Sequence, residues 1–133
     1  MATNTNSTGL LAACRAVTKL PAQDLDRARG FYRDKLGLEP IEKREGGLRY
    51  SCAAGEFHLF LSSGAASGTS TQMGFEVDDV DATIAELRAR GVVFEVDGVV
   101  EAPDNYPSKG TGERGNWFRD SEGNLLGLGQ PTS

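Results

Sequence analysis

The chain has 133 residues, 38% hydrophobic and 25% charged, with a formal net charge of -5. That is the arithmetic of one globular domain, without the basic footprint that nucleic-acid binding requires. There is one histidine, His58, and there are two cysteines, Cys14 and Cys52, which excludes a four-ligand zinc finger, a disulfide framework and a two-histidine iron triad within one chain.

Residues 1–14 are expected to be a disordered tail, since Met1 to Gly9 is rich in Thr, Asn and Ser. Leu11-Ala12-Ala13-Cys14 looks like a lipoprotein cleavage box, but no Lys or Arg precedes Cys14 and the apolar run is shorter than an h-region. No apolar run approaches the length of a membrane span. The expectation is a cytoplasmic chain with reduced cysteines and no membrane partner.

The first module is read at residues 15–63. A short alternating strand from Val17 is followed by Asp24 as an N-cap, and Leu25, Ala28, Tyr32 and Leu36 form a helical stripe that Gly37 ends. Strand-like runs follow at Leu38 to Arg44, Leu48 to Ala54 and Phe57 to Ser62, with hairpin turns at Glu45-Gly46-Gly47 and Ala54-Gly55-Glu56. A Gly/Ala/Ser-rich stretch then supplies a linker at 64–71.

The second module, residues 72–130, repeats the pattern. Residues 72–81 lie over residues 17–26, with Asp79 as cap, Val80, Ile84 and Leu87 as the stripe, and Gly91 as the stop. Acidic first turns and basic last turns suit both helix dipoles. Strands are expected at Val92 to Val96 or Val99 to Ala102, then at Asn116 to Arg119 and Leu125 to Leu128. Residues 120–124 form the last turn, and Pro103 to Gly115 reads as a long loop of the kind that covers binding sites. The order is βαβββ twice.

Three motifs carry a family resemblance. Asp24-Leu25-Asp26-Arg27-Ala28-Arg29-Gly30-Phe31-Tyr32-Arg33-Asp34-Lys35-Leu36-Gly37-Leu38 resembles the opening D-L-x-x-A-x-x-F-Y-x-x-x-L-G-L of the vicinal oxygen chelate superfamily, the glyoxalase, bleomycin resistance and extradiol dioxygenase group. Phe75-Glu76-Val77-Asp78-Asp79-Val80-Asp81 resembles its second-half F-x-V-D-D-V-D, and Phe118 to Asn124 its closing F-x-D-P-D-G-N, with Ser121 in place of Pro. The resemblance runs from about Ala16 to Leu128 and implies an α+β fold. Two βαβββ modules would form an incomplete barrel around a concave cleft, helices outside. Strand alternation agrees: Met73, Phe75 and Val77 form one apolar face, as do Phe57, Leu59 and Leu61. The inward sets are then Arg15, Val17 and Lys19; His58 and Phe60; Gln72, Gly74 and Glu76; and Leu125, Gly127 and Gly129.

Enzymes of that group hold a divalent metal with four inward residues, usually His, Gln or Glu. The resemblance carries those positions onto Val17, Phe60, Gln72 and Gly127, of which Gln72 alone offers a donor. An improvised His58, Gln72 and Glu76 set is the one alternative, and the plainer reading of His58 is a hydrogen-bonded polar pocket residue. No metal and no cofactor are expected. No G-x-S-x-G elbow or phosphate loop is present, and Cys52 has no visible neighbour to activate it.

A cleft with aromatic and polar walls remains. Its expected ligand contacts are Arg15, Val17, Lys19, Tyr50, His58, Phe60, Gln72, Glu76, Tyr106, Trp117, Arg119 and Gly127, with Arg49 as a further polar candidate. Trp117 is taken as inward and Phe118 as core. The leading expectation is a metal-independent protein that binds and sequesters an antibiotic or other planar multi-ring compound. It would be a homodimer, with modules swapped in some relatives. The alternative is a lyase or isomerase, metal-dependent or using Glu76 or His58 as general base. A partner module is the third reading, if the cleft is filled by its own side chains. Acidic net charge favours a cationic ligand; Arg15, Lys19 and Arg119 favour an acidic or carbonyl-rich one. The sequence leaves both open.

Overall fold

Among the described residues, seven strands and two amphipathic helices assemble as two sheets, each with a helix on one face. The computed structural model describes residues 9–66, 70–101 and 113–131. After a 3-10 turn at Leu11–Ala13, the first module holds β1 (Thr18–Ala22), α1 (Leu25–Leu36), β2 (Glu42–Arg44), β3 (Gly47–Ser51) and β4 (Glu56–Leu61). Its sheet order is β1-β4-β3-β2, with β1 parallel to β4. Pro21 is tolerated inside β1 because that strand lies at the sheet edge. The second module holds β5 (Met73–Glu76), α2 (Val80–Ala89), β6 (Glu113–Arg119) and β7 (Leu125–Pro131), ordered β5-β7-β6.

Local chemistry explains the helices. Asp24 and Asp79 are extended N-caps whose side chains accept hydrogen bonds from the Arg27 and Ala82 backbone N–H groups. Gly37, left-handed at φ 72°, ends α1 with its N–H on the last turn. The stripes then dock inward: Ala28 and Tyr32 from α1 and Val80, Ile84 and Leu87 from α2 join one apolar cluster with Leu20, Leu59, Phe118 and Leu126. Phe57 on β4 meets Phe75 on β5 edge to face at 6.0 Å, so the core is continuous between modules.

The strand boundaries depart from the sequence reading in two places. The run from Leu38 is strand only from Glu42, after Pro40. The expected strand between Val92 and Ala102 reduces to isolated bridges at Phe94 and Val100. Between them the backbone bonds to a side chain instead of a ladder: Asn116, 1% exposed, donates to the Val96 and Gly98 carbonyls and accepts from the Val96 N–H. Conversely, β6 begins at Glu113, inside the stretch read as a loop.

The closing turn, residues 120–124, joins the modules. Asp120 accepts from the backbone N–H groups of Glu122 and Asn124, from the Asn124 amide and, at 2.7 Å, from the Tyr32 hydroxyl of α1. Asn124 also donates to the Pro21 carbonyl on β1. Glu122 accepts from the Gln23 and Asp24 backbone N–H groups and, bidentately, from Arg27. Burial pushes the Glu122 carboxyl up, but hydrogen bonds from Arg27, Ser121 and the two backbone N–H groups outweigh it and hold it at about 2. Burial, reinforced by Asp120, raises Tyr32 well above the ordinary phenol range, so its hydroxyl stays a donor.

Two buried tyrosines make opposite demands on this core. Tyr32 donates to a carboxylate, whereas Tyr50 Oη has no hydrogen-bond partner among the described residues. In urea unfolding at pH 7, Tyr32→Phe should cost about 1.5–3 kcal/mol, while Tyr50→Phe should be neutral or stabilising by up to about 1 kcal/mol. Because the folded carboxyl of Glu122 is depressed from 4.5 to about 2, its contribution is full above the unfolded value and is lost as pH falls towards the folded one. Glu122→Gln should therefore cost on the order of 2–3 kcal/mol at pH 7 and make the acid limb between about pH 5 and 2 shallower, read by unfolding at each pH.

Candidate functional site

Each sheet buries one face under its helix and leaves the other open. On the first sheet the open face carries a charged row, Lys19 opposite His58, His58 opposite Arg49 and Arg49 opposite Glu42. Glu56 collects the cations around it. Arg49 donates bidentately at 2.6 and 3.1 Å, the His58 Nε2 lies 3.2 Å away and Arg15 lies 3.3 Å away. The Arg49 hydrogen bond first, then that of His58, holds the Glu56 carboxyl at about 2. Such a carboxylate is a poor base, and His58 spends a ring nitrogen on it. Beside this row is a shallow pocket of about 200 Å³ whose lining includes Lys19, Arg44, His58 and Phe60.

The open face of the second sheet is different. Glu113, Gly115 and Trp117 alternate along β6 with Arg114, Asn116 and Phe118, of which Asn116 and Phe118 are buried while the half-buried Arg114 also borders the cleft. Across the sheet Gly74, Gly127 and Trp117 form one row, and Glu76, Gly129 and Gly115 the next. Four glycines thus leave a floor of bare backbone. Trp117 leans over it: a Cβ on Gly127 would lie 3.5 Å from the indole Cδ1 and 3.3 Å from Thr71 Cγ2. Glu113 reaches over the neighbouring glycine, its Oε2 2.8 Å from where a Gly129 Cβ would stand. The result is an open cleft of about 290 Å³, bordered by Trp117, Glu76 and Glu113. A flat floor beside an aromatic wall suits a planar group.

The residues expected to share one site therefore divide. Lys19, His58 and Phe60 line the first-sheet pocket; Glu76, Trp117 and Gly127 line the second. Neither pocket includes Arg15, Val17, Gln72 or Arg119. Arg15 precedes β1 and pairs with Glu56, and Val17 is half-buried just before β1. Arg119 pairs with Glu95 and donates to the Gly123 carbonyl. Two placements are corrected. Tyr50 is not a cleft wall: it is 1% exposed on the helix side, stacked on Phe57 with ring centroids 4.9 Å apart. Its register partner Phe57 belongs to the same covered face, and burial raises its hydroxyl to about 12. Gln72 is not a free donor: its amide donates to Asn124 Oδ1 and accepts from the Leu125 N–H, splinting β5 to β7. The imagined set of His58, Gln72 and Glu76 is not brought together, because His58 and Glu76 line separate pockets. Tyr106 lies outside the described residues.

Glu113 and Gly115 were not among the expected inward residues, whereas Gly74, Gly127 and Gly129 were. Extending the two-residue alternation of Trp117 backwards through Gly115 reaches Glu113, but the glycines around it read as a loop. Among thiols, burial pushes Cys52 up, away from nucleophilic use.

A sequence profile described as Glyoxalase/Bleomycin resistance protein/Dioxygenase superfamily matches residues 15–128. The chain belongs to this superfamily. Among solved structures, a lactoylglutathione lyase from Agrobacterium tumefaciens is 26% identical, with 90% of this chain and 95% of that one covered and a TM-score of 0.64. A bleomycin resistance determinant encoded on the transposon Tn5 is 20% identical, covering 91% and 100% of the two chains at a TM-score of 0.68. A bleomycin-binding protein complexed with bleomycin is 20% identical, covering 89% and 98% at 0.67. No curated protein sequence matches the chain.

Superfamily enzymes with a metal need donors at four strand positions, and the residues present do not fit that group. Val17, Phe60 and Gly127 have no donor atom, and both ends of the Gln72 amide are occupied. Among the described residues no group of three or more His, Cys, Asp or Glu side chains converges to hold an ion.

Two floor glycines should respond oppositely to a methyl group. Gly115→Ala places Cβ against the Leu128 carbonyl oxygen, part of the β6–β7 backbone, and should cost about 2–3 kcal/mol. Gly129→Ala meets only the mobile end of Glu113 and should stay within about 1 kcal/mol of the parent, as thermal unfolding of both variants would show.

Proposed function

We propose that this superfamily member binds a planar, multi-ring small molecule, such as an antibiotic, and sequesters it without chemical change or a metal. The observation that supports this reading is the second-sheet cleft, where Gly127 occupies a superfamily donor position and opens the floor against which Trp117 leans. At about 290 Å³ the cleft is at the small end for ligand pockets, which run from ~300 Å³ upwards, so it covers part of a multi-ring molecule. A second copy of the chain supplies the remaining wall in this reading, as a homodimer with or without exchanged modules. Among the described residues no helix is long and apolar enough to cross a membrane; the proposed location is the cytoplasm. The bleomycin-bound relative shares the fold and motivates bleomycin as a first probe.

The second reading is an isomerase or lyase without a metal, in which Glu76 removes a proton from a ligand carbon. Its support is the exposed carboxylate of Glu76 on the cleft face, together with the fold shared with a lactoylglutathione lyase. His58 is less suited, since it is engaged by Glu56.

One titration separates the readings. Protein dialysed against EDTA is titrated with bleomycin and a panel of planar antibiotics, following Trp117 emission, and each ligand is recovered for mass spectrometry. Sequestration predicts saturable quenching in the absence of metal, recovery of the unaltered ligand and, by isothermal titration calorimetry because the variant lacks the fluorescent reporter, at least tenfold weaker binding by Trp117→Ala. Ligand conversion that Glu76→Gln abolishes would establish the second reading instead. Binding restored only by added divalent metal would overturn both.

A further inference from the structure

We infer that the second-sheet cleft selects a cationic planar ligand, with Glu76 and Glu113 as its specificity-determining residues. This rests on the binding reading above and names the charge of the molecule that the cleft takes. The two carboxylates stand on the outer strands of the sheet, with Gly129 between them on β7. The Glu113 carboxylate lies over Gly129, and Glu76 is the register partner of Gly129 on the other side. Both therefore border the same stretch of bare backbone beside Trp117.

Neighbouring cations are committed elsewhere. Arg114, next to Glu113 in sequence and also bordering the cleft, pairs with Asp81 of α2 and with Glu101. Arg119 pairs with Glu95, and Arg15 and Arg49 pair with Glu56 on the first sheet. Neither Glu76 nor Glu113 has an ion pair or hydrogen bond among the described residues. A planar cation laid on the glycine floor would meet the indole on one side and two carboxylates on the other. The indole quadrupole and both charges favour the same sign of ligand. A planar anion in that place would face two like charges, and the cation bordering the cleft among the described residues, Arg114, is already paired with Asp81 and Glu101. The conflict between acidic net charge and inward basic residues is thereby resolved by pairing: Arg15 and Arg49 are bound to Glu56 on the first sheet, and the arginines of β6 are paired with acids, Arg114 with Asp81 and Glu101 and Arg119 with Glu95, while Glu76 and Glu113 border the aromatic cleft.

The test uses three acridines of one ring shape on the full chain: 9-aminoacridine, a cation at neutral pH, neutral acridine, and acridine-9-carboxylate. Affinities come from isothermal titration calorimetry at low and high salt, with oligomer mass measured in parallel. The expected result is binding of 9-aminoacridine at least tenfold tighter than acridine, a preference that shrinks in high salt, and no measurable binding of the carboxylate. Glu76→Gln/Glu113→Gln should bring the ratio of 9-aminoacridine to acridine affinity down to about one. Equal binding of all three probes, or a double variant that keeps the preference, overturns the charge assignment but leaves the binding reading intact. Loss of dimer mass in the double variant without loss of preference also overturns it, since the carboxylates would then face a second copy. Failure of every acridine and every antibiotic to bind overturns the binding reading itself.

Discussion

The buried carboxylate of Asp120 is the constraint on which the molecule depends. A charge at 6% exposure is tolerable only if its lone pairs are filled, and the closing turn fills them with two backbone N–H groups, the Asn124 amide and the Tyr32 hydroxyl. Because Tyr32 belongs to the first helix and Asp120 to the last turn, satisfying one charge joins the two modules. Asn124 and Glu122 extend the same clamp to β1 and to the start of α1. The mutual orientation of the sheets follows from this polar knot together with the continuous apolar core, and the site inherits it through Gln72, which fastens β5 to the same Asn124.

Given that framework, each sheet spends its covered face on packing and keeps its open face for chemistry. The two open faces have diverged. The first is crowded with paired charges, and its histidine and carboxylate neutralise each other's reactivity. The second lacks side chains: glycines at 74, 115, 127 and 129 leave bare backbone, and Gly127 stands at a position that the family resemblance carries over as a metal donor. Removing side chains from three strands creates volume at low cost to the fold, since the helix-facing positions between them, such as Phe75, Phe118 and Leu128, still hold the core. Trp117 and the two flanking glutamates then determine what that volume can attract.

Much of this was legible in the chain. The Asp caps, helical stripes and stopping glycines act locally, within one or two turns, so their residues specify them wherever the chain goes. Alternation also placed Phe118 under the helix and Trp117 outside it, as observed. It failed for Tyr50, where an aromatic and polar tip suggested a cleft wall, yet two-residue register with Phe57 puts it in the core with an unpaired hydroxyl. It failed for Gln72 because nothing near Gln72 in sequence announces Asn124, 52 residues away, as its partner. Glu113 was hidden by the glycines and prolines before it, which read as a loop although β6 already begins there.

The sequence by itself determined the repeated strand-then-helix opening of each module, the two helices and their caps, the superfamily, and the shortage of metal donors, because these are matters of residue type and short-range spacing. Only the tertiary structure decided that the inward residues form two separate surfaces, that Arg15 and Arg49 are spent on Glu56 and Arg114 on Asp81 and Glu101, and that the acidic pair shares its floor with the tryptophan. Those facts depend on strand register and on side-chain partners far apart in sequence, which pairing geometry sets and composition does not encode.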